Sequence, residues 1–295
     1  MARVHTNGIE IAYDTFGEPQ DRPLILIMGL SCQLVAWPER FCKKLAAKGH
    51  FVIRFDNRDV GLSTKLEDLG VPDIFEVFAA LREGKSISSP YSLSDMAADT
   101  IGLMDALNLE KAHVCGLSMG GMIAQMMAIE IPQRVASLIC MQSSTGAPGL
   151  PEAEPQAMEA MVAPPPIKRD AYIQHMAHVY RAFAGGSDKY DETLQNEISA
   201  SSYDRSIYFI GFTRQLAAIL ACGSRRKSLA TVTAPTLVIH GDHDALLPLA
   251  HGKDTAEAIA DAKFVIINGL GHGMAYPALW DEIIEAIAAH TASGI

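Results

Sequence analysis

Apolar residues in this chain fall into short continuous runs separated by stretches with helical spacing. Pro23-Leu24-Ile25-Leu26-Ile27-Met28 is unbroken and ends at Gly29, and His50-Phe51-Val52-Ile53-Arg54-Phe55-Asp56 carries a second run. A run apolar on both faces belongs in the middle of a covered parallel sheet. Ile9 to Tyr13 alternates at period two and predicts a strand as well. Between these runs, Trp37 to Lys48 places Phe41, Leu45 and Ala46 on one side of a predicted helix, with Gly49 as its stop. Ser92 to Leu109 predicts another, capped at Ser94 or Ser92 and apolar through Met96, Ile101, Met104, Leu107 and Leu109. A strand over Ala112 to Leu117, a helix from Met119 to Glu130 stopped near Pro132, and a strand over Val135 to Met141 follow.

This rhythm breaks from about Gly146 to Thr231. The interval holds Pro164-Pro165-Pro166 and amphipathic stretches at Ala171 to Phe183 and Ile207 to Leu220, with no convincing strand. Alternation resumes with Pro235 to Ile239 (strand), Ala250 to Ala260 (helix), Lys263 to Ile267 (strand) and Leu279 to His290 (helix). Strands alternating with helices define the α/β class, a mostly parallel sheet with helices on both faces. We expect residues 1–145 and 231–295 to form one core and residues 146–230 a helical lid inserted into it.

Composition narrows the partners. At 295 residues, 49% hydrophobic and 20% charged, the chain is long enough for a large core and has no disordered character. Acidic residues outnumber basic ones 34 to 24, a formal charge of −10, which argues against nucleic acid or an anionic membrane and favours small neutral or cationic ligands. The five cysteines (Cys32, Cys42, Cys115, Cys140 and Cys222) are scattered, lack zinc-ligand spacing and suit reduced thiols. There is no apolar signal core at the start and no stretch fit to span a bilayer, so a soluble, cytoplasmic protein is expected, as a monomer or a homodimer.

Gly116-Leu117-Ser118-Met119-Gly120 then stands out, because it falls between a buried strand and a helix. Glycines around a serine permit the sharp turn that lifts a hydroxyl clear of a sheet edge. A serine hydroxyl becomes a useful nucleophile only beside a base, and that base needs an acid to orient it. His240-Gly241-Asp242-His243-Asp244 follows one later strand, and Gly269-Leu270-Gly271-His272-Gly273 follows another. His272, flanked by glycines that let its ring approach the serine, is the candidate base. Asp242 and Asp244 both follow the strand; Asp242 lies nearer its end, where an aspartate commonly braces a loop through backbone hydrogen bonds, and Asp244 is chosen as the acid. His240 and His243 beside these aspartates also invite a metal-site reading, but ligands on one tight loop lack the distant partners that a hydrolytic metal needs. No metal or cofactor is expected. Oxyanion donors are expected from the backbone N–H groups of Met119 and of Leu30, behind Gly29.

These segments, with Gly121 completing the serine turn, resemble the α/β-hydrolase family over the full length. Asp56-Asn57-Arg58-Asp59-Val60-Gly61-Leu62-Ser63 is similar to the family's Asp-x-Arg-Gly-x-Gly-x-Ser segment, with Asp59 in place of the usual glycine. Met28-Gly29-Leu30 replaces the more common His-Gly-x. Both departures are shared with the aclacinomycin methylesterase branch, which is also similar at His251-Gly252-Lys253. The resemblance implies a carboxylic ester hydrolase with Ser118, Asp244 and His272 as triad and the insertion as cap. Met158, Met161, Met176, Tyr180, Phe183, Tyr208, Phe209 and Phe212 would give the lid adaptable apolar surface for a small or medium, largely apolar ester, although most of them read first as the lid's own core. Carbon–carbon bond hydrolysis, lactone opening and cofactor-free perhydrolysis use the same triad, and a non-catalytic ligand receptor on this scaffold is a further alternative.

Overall fold

The computed structural model describes residues 1–292, so the last three residues of the expected core segment lie outside it. Eight strands form one sheet: β1 (Ala2–Thr6), β2 (Ile9–Phe16), β3 (Arg22–Ile27), β4 (His50–Phe55), β5 (Ala112–Leu117), β6 (Val135–Met141), β7 (Thr236–Gly241) and β8 (Lys263–Ile267). Their order is β1-β2-β4-β3-β5-β6-β7-β8. The pairs β1–β2 and β2–β4 are antiparallel and all others parallel. From β3 the chain moves to one side to form β4, then crosses back to form β5. The carboxyl ends of β3 and β5 therefore flank the point where strand order reverses, which is where α/β sheets bind ligands.

The central strands sort their side chains by the period of two. Ile25 and Ile27 of β3, Val114 of β5 and Leu138 and Cys140 of β6 face one core, packed under α3 (Leu93–Ala106) and α4 (Met119–Glu130). Leu24 and Leu26, Cys115 and Leu117, and Ile139 and Met141 face the other, under α1 (Glu39–Ala46) and α11 (Trp280–Thr291). Covering both faces is what the unbroken apolar runs require. At the edge, β8 is only partly covered, with Ile266 exposed.

Local chemistry sets the helix limits. Pro38 is the N-cap of α1, so the helix starts at Glu39 rather than Trp37, since proline cannot sit in a helix interior. Ser92, not Ser94, caps α3, in a reciprocal box with Asp95. A helix that the periodicity did not predict, α2 (Ile74–Arg82), is capped by Asp73. Between β6 and β7 lie five helices and no strand: α5 (Pro155–Val162), α6 (Arg169–Phe183), α7 (Glu192–Arg205), α8 (Ile210–Cys222) and α9 (Arg226–Leu229). The remaining helix, α10 (Ala250–Ala258), stops two residues short of the expected end. No helix among the described residues is long and apolar enough to cross a membrane.

Candidate active site

Ser118 sits between β5 and α4 at φ 56° and ψ −120°, a left-handed conformation that a residue with a side chain adopts only under constraint, at a cost of order 1–3 kcal/mol. The constraint is visible. Its N–H donates to the Met141 carbonyl at 2.9 Å, and its carbonyl accepts from Gly121 N–H at 2.9 Å and from the Ser143 hydroxyl at 2.8 Å. The neighbouring glycines answer a shortage of space. A β-carbon on Gly116 would lie 2.0 Å from the Gly120 carbonyl oxygen, and one on Gly120 would lie 2.0 Å from that of Ile27. Strand, turn and helix thus touch through backbone alone, and Ser118 remains partly exposed at the sheet edge.

The two loops that follow β7 and β8 meet. Asp244 Oδ2 accepts from His272 Nδ1 at 2.8 Å, with both side chains almost wholly buried. Asp244 Oδ1 accepts the N–H groups of Leu246 at 3.1 Å and Leu247 at 2.7 Å, so each carboxylate oxygen is engaged. Asp242 points elsewhere: its Oδ1 accepts from Gly269 N–H at 2.7 Å and from His243 at 2.9 Å, tying the two loops together. His240 lies 3.5 Å from Asp244 through Nε2, which also bonds the Leu247 carbonyl at 2.7 Å, and burial holds its pKa below the ordinary histidine value. Among the described residues no three His, Cys, Asp or Glu side chains are grouped to hold a metal.

Three residues fix the His272 loop or the Gly29 loop: Gln142 and Asn57, to which sequence reasoning assigned no such role, and Phe183, expected only as apolar lid surface. Gln142, fully buried just after β6, accepts from Gly273 N–H at 2.7 Å and donates to the Gly273 carbonyl at 3.3 Å. The Phe183 carbonyl, at the end of α6, accepts from His272 N–H at 3.1 Å, and its ring meets the His272 ring edge to face at 5.8 Å. Asn57 donates to the Met28 carbonyl at 3.0 Å and so braces the Met28-Gly29-Leu30 loop. A β-carbon on Gly29 would stand 3.1 Å from Ser118 Cβ, so this loop runs against the serine. None of the hydrogen bonds of the described residues uses the Leu30 N–H. Met119 opens α4, where the first N–H groups have no intrahelical acceptor.

The Asp56 to Asp59 segment proves to be a structural hub. Asp56 accepts from Leu34 N–H at 2.7 Å, from Leu62 N–H at 2.9 Å and from Arg205 of α7 at 2.9 Å. Arg58 forks onto Asp99 at 2.6 and 2.7 Å. Asp59, at φ 64°, pairs with Arg214 of α8 at 2.9 Å and so ties α8 to the loop after β4. Of the eight apolar residues expected to serve the lid, Phe183 reaches His272 and Tyr180 bonds Cys32 at 3.2 Å. Tyr208 instead bonds Arg214 at 3.1 Å, Phe209 packs on Tyr172, Met161 joins a small apolar cluster with Val179, and Met158 is exposed.

A family model described as alpha/beta hydrolase fold matches residues 22–175, more than half of the chain, and one described as TAP-like protein matches residues 222–283. The chain belongs to the α/β-hydrolase-fold family. Rhodomycin D methylesterase of Streptomyces peucetius is 28% identical over 315 residues, covering 98% of this chain and 97% of that one. A 2-hydroxy-6-oxononadienedioate/2-hydroxy-6-oxononatrienedioate hydrolase of Cupriavidus pinatubonensis is 31% identical over 175 residues, 58% of this chain and 59% of its own. Among solved structures, a meta-cleavage product hydrolase from Pseudomonas fluorescens superposes with a TM-score of 0.75 at 23% identity, covering 99% of this chain and 97% of that one, a likeness of fold.

Proposed function

We propose that this protein hydrolyses a carboxylic ester of a small or medium, largely apolar molecule through an acyl-enzyme on Ser118. The observation that carries this reading is the buried 2.8 Å bond from His272 Nδ1 to Asp244, which commits one ring nitrogen and leaves Nε2 as the basic one. Nε2 takes the Ser118 proton as Oγ attacks the ester carbonyl. The tetrahedral oxyanion accepts from the N–H groups of Leu30 and Met119. Collapse expels the alcohol, which leaves with the proton from His272, and water activated by the same imidazole releases the acid. Asp244 holds the tautomer and stabilises the imidazolium. Full-length similarity to a methylesterase supports an ester as substrate.

The Cupriavidus relative favours a second reading of the same residues. Its named substrate is a keto diacid without an ester, so hydrolysis there must break a carbon–carbon bond. A series of p-nitrophenyl esters of graded chain length, methyl esters of bulky acids and a 2-hydroxy-6-oxo-dienoate separates the two, run on the wild type and on Ser118→Ala. Ester turnover lost by on the order of 10⁴-fold or more in the variant is the expected result. Unchanged ester turnover in Ser118→Ala refutes the acyl-enzyme, and turnover of the dienoate alone selects the second reading.

A further inference from the structure

We propose that Gln215, on inserted helix α8, is a positioning residue for the oxyanion donor Leu30, so that the insertion helps to build the acyl-transfer site as well as covering it. This rests on the acyl-enzyme reading above. Gly29-Leu30-Ser31-Cys32 forms a turn closed by a bond from Cys32 N–H to the Gly29 carbonyl at 3.2 Å. That carbonyl shares a peptide plane with the Leu30 N–H, and in a trans peptide the two point in opposite directions. Orienting the Gly29 carbonyl towards Cys32 therefore aims the Leu30 N–H away from the turn.

The turn carries a built-in weakness. Ser31 has φ 59°, a conformation that favours glycine at the third position of a turn. Without a restraint, the Leu30–Ser31 peptide relieves this strain by rotating about Leu30 ψ and Ser31 φ, and the turn whose closure orients the Gly29–Leu30 plane loses its fixed geometry. The restraint comes from 184 residues further along the chain: Gln215 Oε1 accepts from Ser31 N–H at 2.7 Å. Gln215 Nε2 donates to the Arg58 carbonyl at 2.8 Å, and the side chain has no exposed surface. A buried amide with both functions engaged is a fixed strut, and the preceding residue pins its helix through the Arg214–Asp59 pair.

Gln215→Met keeps the length and deletes both bonds. The expected result is a fall in kcat of about 10- to 100-fold, less than the loss of a whole oxyanion donor, with KM within about twofold of wild type. Affinity for a trifluoromethyl ketone, which forms a tetrahedral adduct, falls by the same factor as kcat. A merely structural role would move neither ratio once the rates are referred to folded protein. Gln215→Glu serves where the Met variant does not fold. Its neutral carboxyl can make both bonds, whereas its ionised form sets a negative oxygen against the Arg58 carbonyl, so its rate relative to wild type falls as pH rises. Full kcat and full ketone affinity in Gln215→Met, or a flat pH ratio for Gln215→Glu, overturns the proposal. Ser118→Ala measured alongside keeps the two ideas apart: if it stays active the acyl-enzyme reading has failed, and if it is inactive while the Gln215 variants are unaffected only the positioning role has.

Discussion

Removing one partner of the Asp59–Arg214 pair should destabilise the protein far more than removing both. The pair is 2.9 Å long, with side chains 0% and 1% exposed, and it joins the loop after β4 to α8. In Asp59→Asn the cation keeps the Gly70 carbonyl at 2.7 Å and the Tyr208 hydroxyl at 3.1 Å but loses its counter-charge. Breaking a buried pair from one side costs about 3–5 kcal/mol, and the retained polar contacts place this case near about 3 kcal/mol. Arg214→Met strands the carboxylate, whose Oδ1 keeps Leu66 N–H at 2.7 Å and whose Oδ2 has no partner among the described residues, for a similar loss. The double variant removes both charges, and well-packed apolar replacement of such pairs is often neutral. Urea unfolding of the four proteins should therefore give single losses of about 3 kcal/mol, a smaller loss in the double variant, and so a coupling of more than about 3 kcal/mol. Each single variant should melt roughly 5 °C lower. Single losses below about 1 kcal/mol, or losses that simply add in the double variant, would show that this pair does not anchor α8 to the loop after β4.

The two aspartates after β7 should part company under mutation. Asp244→Asn is expected to lower kcat on the order of 10⁴-fold with little change in KM, whereas Asp242→Asn should cost about 1 kcal/mol of stability and leave kcat within about threefold, both read from steady-state kinetics and urea melts. Equal kinetic effects would undo the assignment. Acidification should also destabilise the fold through its buried histidines. Burial, with nearby His50, Arg22, His290 and Lys111 adding to it, pushes His113 down to about 4, and burial is the main cause of the lowered values at His50, His240 and His290. Such groups are neutral when folded and take up protons when unfolded below the ordinary histidine value, so their contribution is complete above about pH 6.5 and is lost as pH falls towards 4. For His113 alone this reaches at most about 3 kcal/mol. His113→Asn should flatten the urea midpoint between pH 6.5 and 4, and an unaltered slope would contradict the argument.

The sheet was readable because its signals are local: six-residue apolar runs, a glycine or proline at their ends, and helical spacing between them. Where the pattern misled or fell silent, a physical reason is at hand. The edge strand β1 is short and largely exposed, and α7 buries only Leu194, Gln195 and Ser199, so neither leaves an apolar rhythm. Helix α2 opens with Ile-Phe, yet Phe75 is 87% exposed, so its apolar residues do not mark a buried face. Ser118, Asp244 and His272 were named from strand-end position, and the structure brings Asp244 and His272 into contact. Gln142, Asn57 and Gln215 were given no such role, because each acts through hydrogen bonds to distant backbone groups. Their one sequence signal is a lone amide inside or beside an apolar run, as in Cys140-Met141-Gln142 and Gln215-Leu216-Ala217-Ala218.

Covalent capture shows whether Ser118 becomes acylated. Incubation with a fluorophosphonate, followed by intact mass measurement and peptide mapping, should give one adduct per chain, on Ser118, abolished in Ser118→Ala and strongly slowed in His272→Ala. An adduct on another residue, or labelling that persists in Ser118→Ala, would rule out Ser118 as the nucleophile.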